Sequence, residues 1–312
     1  MIHKPAFFSV TTISRFFLFS AIAAAAACSK DDDTPPPAPN TVVNVASNNG
    51  FTTLAGALNT AGLTATLNGT GPFTVFAPTN AAFAAITVPS DPTALGNILK
   101  YHVLNGKVLA AALPTSYTPG VVTLNGDSVY VKKFASGNAY VNGIKVDQAD
   151  VNASNGAVHV IGSVLIPPAA SVVAVAQSDT SFKLLVQAVV KCGLATALSA
   201  PGSLTVFAPT NAAFRAAGFD STAIANANAG TVTTLTSVLQ YHVVPVRAFS
   251  ADLVEGLTTA PTLLTGKSLT FSVAGGAKVT GSGNGGTASN IVKTNIVAKN
   301  GVVHVIDRVL LP

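Results

Sequence analysis

Apolar residues recur at two periods along this chain, and the two periods alternate in blocks. Phe51, Leu54, Ala55 and Leu58 stand at i, i+3, i+4 and i+7, the stripe of an amphipathic helix, with Gly62 placed to close it. Phe182, Leu185, Val186 and Val189 repeat that stripe 131 residues later, again with a glycine, Gly193, at the end. Strand-like stretches follow each helical block. "VYVKKF" and "AYVNGIKV" lie at 129–134 and 139–146, and "LTFSV" and "AKVTG" at 269–273 and 277–281. "HVIGSVL" (159–165) and "HVIDRVL" (304–310) supply a last apolar, β-branched strand to each block. Helices segregated from a mostly antiparallel sheet predict an α+β fold.

The two blocks are copies. "TVFAPTNAAF" occurs at Thr74–Phe83 and again, letter for letter, at Thr205–Phe214. The offset of 131 grows to 140 at Tyr101–Val103 and Tyr241–Val243, both "YHV", and ends at 145 where "AVHVIGSVLIP" meets "VVHVIDRVLLP". Insertions of nine and five residues therefore separate parallel halves. The decapeptide has a structural logic of its own. Pro78 and Pro209 end a strand because they cannot continue its ladder. Thr79-Asn80 and Thr210-Asn211 then offer caps for the helix beginning "AAF".

Outside the copies, residues 1–27 read as a signal peptide: Lys4 and Arg15, an apolar run Phe16–Ala27 too short to span a bilayer, then Cys28. Small residues leading into a cysteine resemble a bacterial lipobox, with Ala25 where that motif usually has Leu. The expectation is cleavage before Cys28 and lipidation of it; an ordinary signal cut after an alanine is the alternative. "SKDDD" (Ser29–Asp33) resembles the acidic tag of surface-exported Bacteroidetes lipoproteins, and equally suits a solvated charge run. "TPPPAPN" favours an extended stalk, so residues 28–40 read as a lipidated tether. The remaining cysteine, Cys192, then has no intrachain partner and reads as a small apolar residue at a helix end.

The ordered motifs "TVFAPTNAAF", "YHVV" and "VVHVIDRVLLP" resemble the two conserved blocks and the intervening Tyr-His pair of fasciclin (FAS1) domains, twice over. The resemblance implies tandem domains at 41–168 and 169–312, each a β-sandwich or wedge with helices packed at one side. It also implies cell adhesion or matrix association, with extracellular matrix or cell-surface proteins or glycans as partners. Adhesion in animal members is linked to the Tyr-His region, which maps onto Tyr101, His102, Tyr241 and His242. The other reading of these four residues is a hydrogen-bonded place in the core.

The remaining polar repeats carry the other candidate chemistry. His159 and His304 form a second equivalent pair, with Asp150 and Asn295 nine residues before them. Asp changes to Asn between copies, and no compact His spacing or cysteine joins, so no metal is expected. "GDS" (Gly126–Ser128) superficially resembles an esterase nucleophile block, but its counterpart "GKS" (Gly266–Ser268) is likewise flanked by strands. Both read as hairpin turns, with Asn125-Gly126 suited to type I′. "GKS" also has Pro261 where a P-loop needs glycine, and the Gly-rich 275–290 precedes a strand pattern, which makes it a flexible hairpin loop.

Charge adds little. A formal net charge of +5 falls to +3 once Lys4 and Arg15 leave with the leader, and there is no basic run and no Trp, which argues against nucleic acid. The sequence thus predicts an exported lipoprotein of the outer membrane, held there by its lipid alone. It acts in binding and adhesion without cofactor or catalysis; the alternative is an envelope hydrolase or small-ligand-binding protein.

Overall fold

The computed structural model describes residues 39–312, apart from 118, 256, 258 and the side chain of 255. The expectations for the leader, Cys28 and the tether as far as residue 38 fall outside the described residues.

The first copy opens with three short helices, α1 (Val42–Asn48), α2 (Thr52–Thr60) and α3 (Thr64–Leu67). Strand β1 (Phe73–Pro78), helices α4 (Asn80–Ala84) and α5 (Pro92–Tyr101), and strand β2 (Val103–Asn105) come next. Six strands complete it: β3 (Val121–Val122), β4 (Ser128–Val129), β5 (Val131–Lys133), β6 (Ala139–Val141), β7 (Ile144–Ala153) and β8 (Gly156–Ile161). The second copy repeats the order with α6 (Val172–Ser178), α7 (Lys183–Lys191), α8 (Ala195–Ser199), β9 (Leu204–Pro209) and α9 (Asn211–Ala216). Helix α10 (Ser221–Ala225) lies within the nine-residue insertion, ahead of α11 (Ala229–Tyr241), β10 (Val243–Val244) and α12 (Ser250–Glu255). The last strands are β11 (Thr259–Pro261), β12 (Ser268–Ser272), β13 (Lys278–Thr280), β14 (Ser289–Ala298) and β15 (Gly301–Ile306).

The sheets run β2-β1-β8-β7-β6-β5 and β10-β9-β15-β14-β13-β12-β11. All their pairings are antiparallel except β1 with β8 and β9 with β15, the parallel seams inside each sheet. Apolar residues line both faces of β1. Val75 and Ala77 join the helical core with Leu54, Leu58 and Leu99, while Phe76 joins Tyr101, Leu104, Val129, Val141 and Ile161 on the other face. The strand period of two therefore divides one short strand between two cores. The second copy separates its cores in the same way, around Phe214 and around Phe207. The α+β architecture expected from the periodicity is present in both halves.

Three local expectations are corrected. The type I′ turn sits at Asn142-Gly143, not Asn125-Gly126. Asn142 and Gly143 have φ of 48° and 74°, and Val141 pairs with Ile144 across them. That turn needs both central residues at positive φ, and at 125–126 only Gly126 has it. Residues 124–126 instead form a three-residue loop closed by the Thr123 N–H donating to the Asp127 carbonyl at 2.9 Å. "AYVNGIKV" is accordingly two strands rather than one. The Gly-rich loop of the second copy is pinned rather than free. Asn284 Nδ2 donates to the Val309 carbonyl, and Asn284 Oδ1 accepts from Leu311 N–H, both at 2.9 Å.

Candidate functional site

The four repeated histidines have their roles fixed by backbone groups. His102 is the C-cap of α5; its Nδ1–H donates to the Ile98 carbonyl at 2.9 Å and its Nε2 accepts the Leu165 N–H at 2.9 Å. His242 repeats this with Val238 at 2.7 Å and Leu310 at 2.9 Å. The second pair uses the opposite tautomer. His159 Nε2–H donates to Val108 and Nδ1 accepts from Asp150 N–H, at 2.9 and 3.2 Å. His304 does the same with Ala248 and Asn295, at 2.9 and 3.4 Å. A carbonyl can only accept and an amide can only donate, so each tautomer follows from its neighbours. Burial pushes His102, His242 and His304 down from 6.5 to about 4, against the smaller upward pull of the hydrogen bond to the carbonyl. No ring nitrogen retains a lone pair for a metal or a substrate proton.

Each imidazole ties distant segments together. His102 and His242 join the α5 or α11 terminus to the chain after the last strand. His159 and His304 join the sheet to the segment that follows β2 or β10. Asp150 and Asn295, considered above as metal ligands, are bulge residues at φ of 59° and 60°. That conformation turns their N–H toward the histidine. It leaves Asp150 Oδ1 accepting from Ala110 N–H and Asn295 Oδ1 from Ser250 N–H, each at 2.8 Å. Among the described residues, no group of three metal-ligating side chains comes together.

The tyrosines are equally committed. Tyr101 hydroxyl donates to the Ser128 carbonyl and accepts from Asn142 Nδ2, both at 3.0 Å. Tyr241 hydroxyl donates to Ser268 at 2.8 Å and accepts from Ser282 N–H at 2.9 Å. Tyr101 and Tyr241 are 0% exposed, His102 1% and His242 2%. The four side chains are therefore not surface contacts, which corrects their candidacy as ligand-binding residues. Cys192, the C-cap of α7, is half-buried beside the helical core.

The decapeptide does more than cap its helix. Thr79 and Thr210 accept from the N–H groups of Ala82 and Ala213 at 3.2 Å. Asn80 is the first helical residue and bridges outward, accepting from Thr53 N–H at 3.1 Å and donating to the Gly50 carbonyl at 2.9 Å. Asn211 makes the same bridge to Leu184 and Thr180. Two further repeated clamps escaped the sequence reading. Asn155 accepts from Val42 N–H and donates to the Leu67 and Gly69 carbonyls, all within 2.9 Å. Asn300 holds Val172, Leu198 and Ala200 in the same way. Their signal was the "NG" before each "VHV", at the shared offset of 145.

Where the copies differ, they meet each other. Lys132 of the first half lies 2.6 Å from Asp252 of the second, over the rings of Tyr117 and Phe134 at 5.0 and 4.2 Å. Arg247 stacks on Tyr130 at 4.1 Å, and Tyr117 packs edge-on against Phe249 at 4.8 Å. At the offset of 140, Arg247, Phe249 and Asp252 correspond to Lys107, Leu109 and Ala112, so these contacts belong to the pair and not to the repeat. Asp252 is fixed on its other side, its Oδ2 accepting the Phe249 N–H at 2.8 Å. Gly143 completes the joint. A Cβ there would lie 2.6 Å from the Phe249 Cβ and 2.7 Å from Asn295 Nδ2.

Two copies of one α+β scaffold, each locked by paired histidines and capped by an identical decapeptide, define a tandem-repeat protein. The fasciclin domain model matches residues 49–167 and 180–312, and the chain belongs to the fasciclin domain family. It is 42% identical over 137 residues to protein sll1483 of Synechocystis sp., a match covering 41% of this chain and 74% of that protein. Over 253 residues it is 27% identical to the pig transforming growth factor-beta-induced protein ig-h3, covering 79% of this chain and 35% of the relative. Human periostin is 25% identical over 255 residues, covering 80% and 29%. The chain thus spans about a third of the length of these two animal relatives. A solved FAS1 domain pair from the insect cell adhesion molecule fasciclin I covers 86% of this chain and 95% of its own at 22% identity, with a TM-score of 0.43. Membership in a family with adhesion-related members supports a binding or adhesion role.

Proposed function

We propose that the protein is a surface-anchored, non-enzymatic binding and cell-adhesion lipoprotein that offers two fasciclin modules to extracellular matrix or cell-surface proteins or glycans. The supporting observation is that all eight ring nitrogens of the four histidines in the copies are engaged with backbone groups. The polar residues that recur are thereby spent on architecture, and catalysis needs a free base or ligand. Ser128, the serine of the "GDS" turn, starts a strand and gives its carbonyl to Tyr101.

Cys28 carries two acyl chains in this reading, since one chain holds only marginally. The lipid keeps the modules at the outer membrane, beyond a stalk ending near residue 40, with domains at 41–168 and 169–312. Two modules on one anchored chain raise avidity toward a polymeric ligand by ~10²–10⁴ without new contacts. The test is retention of the ectodomain on arrays of matrix proteins and glycans, run beside a hydrolase substrate panel. Retention without turnover is expected. Substrate turnover abolished by one point substitution would overturn the reading.

A further inference from the structure

The joint between the halves contains a cleft of about 720 Å³, lined by Tyr117, Lys132, Lys133, Phe134, Arg247 and Asp252 among others. Its hydrogen-bonding inventory is one-sided. The Tyr117 hydroxyl and Arg247 Nε are buried, and neither has a hydrogen-bond partner among the described residues. Both side chains are more than nine-tenths buried, at 5% and 8% exposure. Lys132 spends one bond on Asp252 and has donors to spare, while Lys133 is half-buried and, among the described residues, has no acidic neighbour in ion-pair range. Among the described lining residues the single carboxylate, Asp252, is already occupied at both oxygens by Lys132 and the Phe249 N–H. Buried donors without acceptors are rare in native structures, and each calls for an explanation.

We propose that this cleft binds an acidic saccharide, a uronate unit of a polysaccharide, with its carboxylate among Lys133, Arg247 and the Tyr117 hydroxyl. Lysine donors and the one open arginine donor, Arg247 Nε, suit a carboxylate; Arg247 Nη1 and Nη2 are already held by the carbonyls of Ala298, Gly301 and Lys299. The cleft lies within the size range of small-ligand sites. Its apolar lining, Leu113, Phe134, Val246 and Leu257, suits the C–H face of a pyranose ring. An acidic peptide is less well served. Strand β5 borders the cleft, but its Lys133 N–H is already donated to the Pro114 carbonyl at 2.8 Å, so an extended peptide meets no open ladder at that residue. Because the donors come from both halves, neither copy alone forms the site. The proposal rests on the binding reading above and gives it a ligand class.

The test is calorimetric titration of the two-domain ectodomain with a uronate oligosaccharide, its methyl-esterified neutral form, an Asp/Glu peptide of equal charge, and inorganic sulfate. The uronate should bind at least tenfold more tightly than the other three. Tyr117→Phe should weaken uronate binding fivefold or more while leaving thermal stability unchanged or raised, because the hydroxyl it removes has no partner among the described residues. Lys133→Glu should abolish binding with the fold intact by circular dichroism. Equal affinity for the neutral oligomer, for the peptide or for sulfate would overturn the assignment, as would wild-type affinity in both variants. Loss of uronate binding alone, with array retention preserved, would sink the cleft and spare the adhesion reading. Loss of retention on every array would sink the adhesion reading whatever the cleft does.

Discussion

Acidification should begin to destabilise this protein above the carboxylate range, as pH falls below about 6.5, and the buried histidines set the size of the effect. His102, His242 and His304 fall from 6.5 to about 4 in the folded state because burial disfavours the imidazolium. Between those two values the unfolded chain binds protons that the folded chain refuses, so stability rises with pH across the window and is lost as pH falls through it. The gap is worth about 3 kcal/mol per ring at about 1.4 kcal/mol per pH unit. Three rings together give a slope of about 4 kcal/mol per pH unit near pH 5. One of them lies in the first copy and two in the second, so the second half should lose stability about twice as steeply. Asp179 and Asp307, both held below 3.8, lose their stabilisation only at lower pH. Urea unfolding of the ectodomain at half-unit steps from pH 7 to 4.5 measures the slope. His304→Asn should lower it by about 1.4 kcal/mol per pH unit even if the variant is less stable throughout. A flat profile over that range, or an unchanged slope in the variant, would refute neutral, backbone-bonded rings.

Asn155→Ala and Asn300→Ala each free one buried amide and two carbonyls, and should cost about 2–4 kcal/mol in urea melts; a loss under about 0.5 kcal/mol would rule out the clamp role. Gly143→Val meets Phe249 at a positive φ of 74°, so it should loosen the joint and split the calorimetric transition in two, whereas a single unshifted transition would contradict close packing there. Cutting the chain between Pro168 and Ala169 should leave two cooperatively folding fragments, and failure of both to fold would misplace the boundary. Cys28→Ala should release the protein from membranes or block its maturation; persistent membrane fractionation would exclude the lipid anchor.

The elements that were legible in the sequence are those with a local cause. The α2 and α7 stripes, their closing glycines at φ of 68° and 67°, and the proline-ended strands follow from periodicity and backbone sterics, and all are present. The Asn-Gly turn is not placed by its letters, because "NG" occurs at 49, 68, 105, 125, 142, 155, 284 and 300, and the dipeptide does not say which occurrence bridges adjacent strands. The histidines were recognisable as a repeat, yet their partners are carbonyls and amides up to 68 residues away, which carry no letter in the sequence. The joint was invisible for the opposite reason. Arg247, Phe249 and Asp252 depart from the repeat, and only the docked halves show what those departures contact.

The most direct check on the two-module, non-catalytic reading is a bivalency measurement with recovery of the ligand. The intact ectodomain and its separate halves would be compared on one uronate-free polymeric ligand retained on the arrays, which the cleft between the halves does not take, and on its monovalent unit, with the ligand analysed by mass after release. The intact chain should hold the polymer at least ~10² times more tightly than either half, lose that advantage on the monovalent unit, and return the ligand chemically unchanged. Equal retention by a single half, or a ligand recovered in cleaved form, would contradict it.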